Sequence, residues 1–118
     1  MSVAIDWTQA ETSSDIDAAA LERRRVAVNA ECERRIFAIA SANAQRNMGV
    51  VLGIIAATPA GDRTNQDVEI LAGCRAAMSW VNAMRSAAAH LRETDDDFTA
   101  DAAWPDLPDG VGQMLELI

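Results

Sequence analysis

The chain has 118 residues and a formal net charge of −8, with 18 acidic residues against 10 basic ones, all of them Arg. That length fits one domain. An acidic chain without Lys argues against sequence-independent nucleic-acid binding, which draws its free energy from Lys and Arg meeting phosphates. The longest apolar run, Met48 to Ala57, falls far short of the roughly 18–20 residues needed to span a bilayer.

Residues 1–13 read as an extended N-terminal arm. Val3, Ile5 and Trp7 alternate with Ala4, Asp6 and Thr8, a period of two that suits a short strand or a segment laid on another subunit. The start of the chain carries neither a basic stretch nor a long apolar one, so no signal peptide is expected. Ser13, Ser14 and Asp15 offer N-cap oxygens for a helix. No Pro follows until Pro59, and the pattern predicts one helix over about residues 15–57. Its apolar stripe includes Val28, Cys32, Ile36, Ile39, Val51 and Ile55. Gly49 and Gly53 could kink it or admit another helix.

Thr58-Pro59 ends this helix, and the turn-rich stretch to Gln66 leads to a second, over about residues 66–92. There Ile70, Cys74, Ala77, Val81, Met84, Ala88 and Leu91 are spaced 4, 3, 4, 3, 4 and 3 apart, a heptad seam that wants a nearly aligned partner helix. The short connection makes the first helix that partner, in antiparallel register. Residues 14–93 thus form a long hairpin. Residues 94–118 form an acidic loop and a Pro-containing tail, pinned by Trp104, Leu107 and Val111. The closing Met114, Leu115, Leu117 and Ile118 must fold back or dock on a partner. The fold class is all-α: a long antiparallel helical hairpin with an extended N-terminal arm, completed by partner subunits, because two helices alone cannot close a core.

With the hairpin tip near residues 61 and 62, facing positions sum to about 123. That register places Cys32 near Leu91 and Cys74 near Gly49, too far apart for a disulfide, and predicts two free thiols. It also sets Asn43 across from Trp80. Two arrangements account for the mid-helix amides Asn43 and Asn47. They could form a network with the Trp80 indole, or a polar layer at the axis of a symmetric bundle, where one such layer fixes register.

No catalytic constellation stands out. The chain has no Tyr, no Lys and a single His90, with no nucleophile–base pair or convergent carboxylates. It reads as non-enzymatic, with no cofactor, metal, nucleic-acid or membrane partner. Arg23, Arg24, Arg25, Arg34 and Arg35 are interleaved with Glu22, Glu31 and Glu33, as on a solvated helix face with intrahelical pairs. Asp95, Asp97 and Asp101 begin a calcium-loop pattern but lack its central Gly and distal Glu. A solvated loop is expected. The interaction candidates are Val3, Ile5, Trp7, Asn43, Asn47, Trp80, Trp104, Leu107, Leu115 and Ile118.

"ECERRIFAIASANAQRNM", "CRAAMSWVNAMRSAAAHL" and "WPDLPDGV" together resemble small helical proteins encoded beside phage tail genes in alphaproteobacterial phages and gene-transfer-agent-like particles. Their pattern is a helix with "ERxRRI" and a later "Q-R-N", a helix with "W-I-x-A-M-R", then "WP-x-x-P-x-G-V". The likeness covers about residues 20–112 and departs at Cys32. It implies an oligomeric virion protein, made in the host cytoplasm, that contacts other tail or fibre proteins. A tail-fibre assembly chaperone absent from the finished particle is the alternative. The resemblance brings no catalytic residue with it.

Overall fold

The computed structural model describes residues 13–118, with side-chain detail from Asp15 onward. Among these residues the protein is all-α. Helix α1 spans Ser13–Ile39, α2 Ala42–Ala57, α3 Asn65–Leu91 and α4 Val111–Leu117, with single 3-10 turns at Ala60–Asp62 and Asp101–Ala103. No helix of the described residues is long and apolar enough to cross a membrane.

Helix α3 is the spine: α1, α2 and α4 each pack against it. It starts on a capping box, in which Thr64 Oγ1 accepts from Asp67 N at 3.1 Å and Asp67 Oδ2 accepts from Thr64 N at 3.0 Å. Its seam buries Ile70, Cys74, Ala77, Met84, Ala88 and Leu91, with Trp80 taking the buried place predicted for Val81, which is half-buried. The larger indole displaces its smaller neighbour from the centre of the seam.

Two hydrophobic clusters lie along this spine. One joins Val28 and Cys32 of α1 to Trp80, Met84, Ala88 and Leu91 of α3, and to Trp104. The other joins Ile55 of α2 to Ile70, Cys74 and Ala77 of α3 and to Val111 and Met114 of α4. Leu107 packs against both. Each side chain of this size taken fully from water contributes about 1.5–3 kcal/mol. Helices α1 and α3 run antiparallel: Arg24 reaches Leu91 O at 2.9 Å, and Cys32 Sγ lies 3.7 Å from Met84 O.

The predicted single helix over residues 15–57 is two helices, interrupted at Ala40–Ser41. Gly49 and Gly53, the expected weak points, sit inside regular α2. The interruption also corrects the register. Cys32 faces Met84 rather than the Leu91 region, because the non-helical joint breaks the even 1.5 Å advance per residue on which that estimate rests. The two cysteines are buried free thiols in separate clusters.

The tail is less extended than predicted. Gly110, at φ +89°, turns the chain into α4, a left-handed conformation that favours glycine. Of the two fates open to the C-terminal apolar stretch, the chain folds back. Met114 is fully buried, while Leu115 and Ile118 pack half-buried on the second cluster.

Candidate interaction surface

The joint between α1 and α2 is held by polar side chains from the first turn of α2. Ala40 N closes the last turn of α1 onto Ile36 O at 2.9 Å. Ser41 then caps α2, its Oγ accepting from Ala44 N at 3.1 Å. Gln45 Nε2 donates to Ala40 O at 3.0 Å. Helix ends leave backbone groups without partners, and Ser41 and Gln45 satisfy one at each side of the break. The far end of α2 is treated alike. Arg63 Nε donates to Ile55 O at 3.2 Å and Thr58 O at 3.1 Å, a cation placed where the helix dipole favours it.

The break opens a cleft of about 350 Å³ over the middle of α3. Its floor is Cys74, Ala77 and Trp80, and its walls include Ile36, Met48 and Leu52. The cleft therefore sits where the two hydrophobic clusters meet. Arg85 stands on its edge, is exposed, and forms no hydrogen bond or ion pair among the described residues.

On α2 the face turned to α3 carries Met48, Val51, Leu52 and Ile55. Asn43, Asn47, Val50 and Ile54, spaced 4, 3 and 4 apart, form an adjoining, solvent-exposed stripe. Val50 is 60% exposed and Ile54 62%. The helix has no acid and a single charge, Arg46, whose Nη1 lies 3.5 Å from Asn43 Oδ1. A second neutral stripe therefore faces solvent.

The arginines of α1 do more than decorate a solvated face. Arg34 and Glu31 form the expected intrahelical pair, which pushes the Arg34 guanidinium further up. Three others grip the acidic loop. Arg24 donates to Leu91 O and, at 2.7 Å, to Asp96 O, and stacks over Phe98 at 5.3 Å. Arg25 meets the Glu93 carboxylate at 3.0 Å. Arg35 donates to Asp101 Oδ1 at 2.9 Å and Thr99 O at 3.0 Å, and stacks over Trp104 at 5.6 Å. Within the loop, Asp97 Oδ1 accepts from Thr99 N at 2.9 Å and from Thr99 Oγ1, and these bonds hold the Asp97 carboxyl below its usual range. The carboxylates of the calcium-like run are thus engaged within the chain at Asp97 and Asp101. Among the described residues no three metal-ligating side chains converge. His90 lies exposed, 3.6 Å from Asp96.

Of the interaction candidates, Val3, Ile5 and Trp7 lie outside the described residues. Trp80 is buried, and its Nε1 donates to Pro105 O at 3.3 Å. Of the two arrangements open for the amides, the Asn43–Trp80 network is corrected: Pro105 in the tail already satisfies the indole, and Asn43 and Asn47 are exposed. Trp104 is buried, its Nε1 donating to Phe98 O at 2.7 Å. With Leu107, Leu115 and Ile118 it is core or part-core, so these residues bind the tail to the body. Sequence reasoning missed Ser41, Gln45 and Arg85. The signal for the first was available, since Ser is a preferred N-cap, but an unbroken Ala-rich periodicity masked it. Comparison with protein-family models, curated proteins and solved structures found no match.

Proposed function

We propose that the chain is a non-enzymatic connector: a structural virion protein, associated with a tail or fibre, that attaches other particle proteins to one another. The observation that carries the connector reading is the exposed Asn43–Asn47–Val50–Ile54 face of α2, an uncharged stripe at helix-packing spacing whose Val50 and Ile54 are covered by nothing in the chain's described residues. The assignment to a tail or fibre comes from the motif resemblance. A cytoplasmic assembly chaperone would use the same face and the cleft beside it, and would leave once the fibre is built.

Mass spectrometry of purified particles tests the proposal. Presence at a fixed stoichiometry with tail or fibre proteins is the expected result. Absence from finished particles, with the chain recovered on fibre protein in the assembling lysate, overturns it in favour of the chaperone. Recovery with neither overturns both.

A further inference from the structure

The cleft over α3 is apolar within and cationic at its edge. None of its lining residues is acidic, and α3 carries no acid after Glu69 while holding Arg75 and Arg85, with Arg92 just past its end. On a chain of net charge −8 such a zone is unusual, and it favours an occupant that combines apolar side chains with a carboxylate. The N-terminal segment has that composition. Residues 1–12 carry Val3, Ile5 and Trp7, the acids Asp6 and Glu11, and no basic side chain.

Chain length decides whose segment can fill the cleft. Residues 15–23 of α1 are all exposed, and Arg24 already sits at the last turn of α3, so the first turns of α1 project past the body. Trp7 is six residues before Ser13, a reach of about 20 Å when extended. Ile36, on the cleft wall, is 23 residues after Ser13, about 35 Å along the helix. A chain's own Trp7 falls short of its own cleft.

We propose that the cleft is filled by the N-terminal segment of a second copy of this chain, with Trp7 on the Cys74–Ala77–Trp80 floor and Asp6 meeting Arg85, which has no partner among the described residues. Period-two alternation puts Ile5 and Trp7 on one side of the segment and turns Asp6 to the other, where the exposed Arg85 can meet it. An indole buries about 150–250 Å², and Ile5 adds to it, so the apolar pair anchors the contact while the ion pair fixes its direction. Mutual exchange gives a dimer; head-to-tail donation gives a ring where the rotation closes and a filament where it does not. The inference is independent of the particle in which the chain works.

The test is the mass of the full-length chain in solution by light scattering across a concentration series, with helicity followed by circular dichroism. The expected result is an oligomer that Trp7→Ala converts to monomer at unchanged helicity. Asp6→Arg and Arg85→Asp should each raise the dissociation constant at least fivefold, and the two together should recover most of that loss. Arg85 is exposed and Asp6 lies outside the described residues, and the circular dichroism reads whether either change disturbs the helices. A full-length chain that is monomeric at every concentration overturns the proposal, as does an oligomer indifferent to Trp7→Ala or a double swap that recovers nothing. Native mass spectrometry showing a monomer loaded with a small apolar carboxylate would also overturn it.

Discussion

Met114 of α4 rests directly on Gly73 of α3. A Cβ added at Gly73 would overlap Cβ and Cγ of Met114 and stand 3.3 Å from Gly110 O. The absent side chain is what lets α4 lie against the spine.

Gly73→Ala should therefore destabilise the protein by about 1–3 kcal/mol through overpacking, although Ala is the better helix former by about 1 kcal/mol. Urea denaturation should show a lower midpoint at an unchanged slope.

The α1–α2 joint predicts a contrast of sign. Ser41→Ala removes the N-cap and should cost about 1 kcal/mol. Gly53→Ala meets open space inside α2 and should gain about 0.5–1 kcal/mol. Thermal melts of the two variants beside the parent chain check both directions, and a stabilising Ser41→Ala would refute the cap.

Trp104 joins the tail to the first cluster, so Trp104→Ala should cost about 3–5 kcal/mol. Trp104→Phe keeps most of the burial but loses the bond to Phe98 O, and should cost about 1–2 kcal/mol. Chemical denaturation of the pair separates packing from hydrogen bonding.

Burial pushes the Cys32 and Cys74 thiols up. A thiol whose folded pKa exceeds its unfolded value, about 8.5, lends stability that is intact below that pH and is lost as the pH rises through the folded value. Stability should thus decline into the alkaline range. A disulfide-exchange reagent should label neither thiol quickly at neutral pH, and both at once in strong denaturant. Rapid labelling of the folded chain would contradict the burial.

Asn43 is exposed and serves no Trp80 bond, so Asn43→Leu should leave stability within about 0.5 kcal/mol. If α2's outer face pairs with another helix, the same change should alter subunit number or mix it, which light scattering reads directly.

Much of this architecture is legible in the residues. The heptad spacing of α3, the Thr64 cap, the stop at Thr58-Pro59 and the two separated thiols all follow from local rules that tertiary packing leaves intact. What escaped has a common physical origin. The break at Ala40–Ser41 falls in a stretch where Ala, Asn and Gln keep helical spacing, so periodicity carries on through a point where the backbone does not. The bonds from Arg24, Arg25 and Arg35 to the loop span more than sixty residues of sequence, whereas a reading by neighbours finds first the local partners Glu22, Glu31 and Glu33. The helical end at Val111–Leu117 depends on Gly73 making room, a relation between distant positions that no local pattern encodes.

The central place of α3 also sets an order of events during synthesis. Residues 13–57, which become α1 and α2, emerge from the ribosome before residues 65–91 do, and each of those helices packs on α3. Until α3 emerges, Val28, Cys32 and Ile55 have no surface of their own chain to bury against, so the nascent chain is most exposed to aggregation and to chaperone capture in that interval.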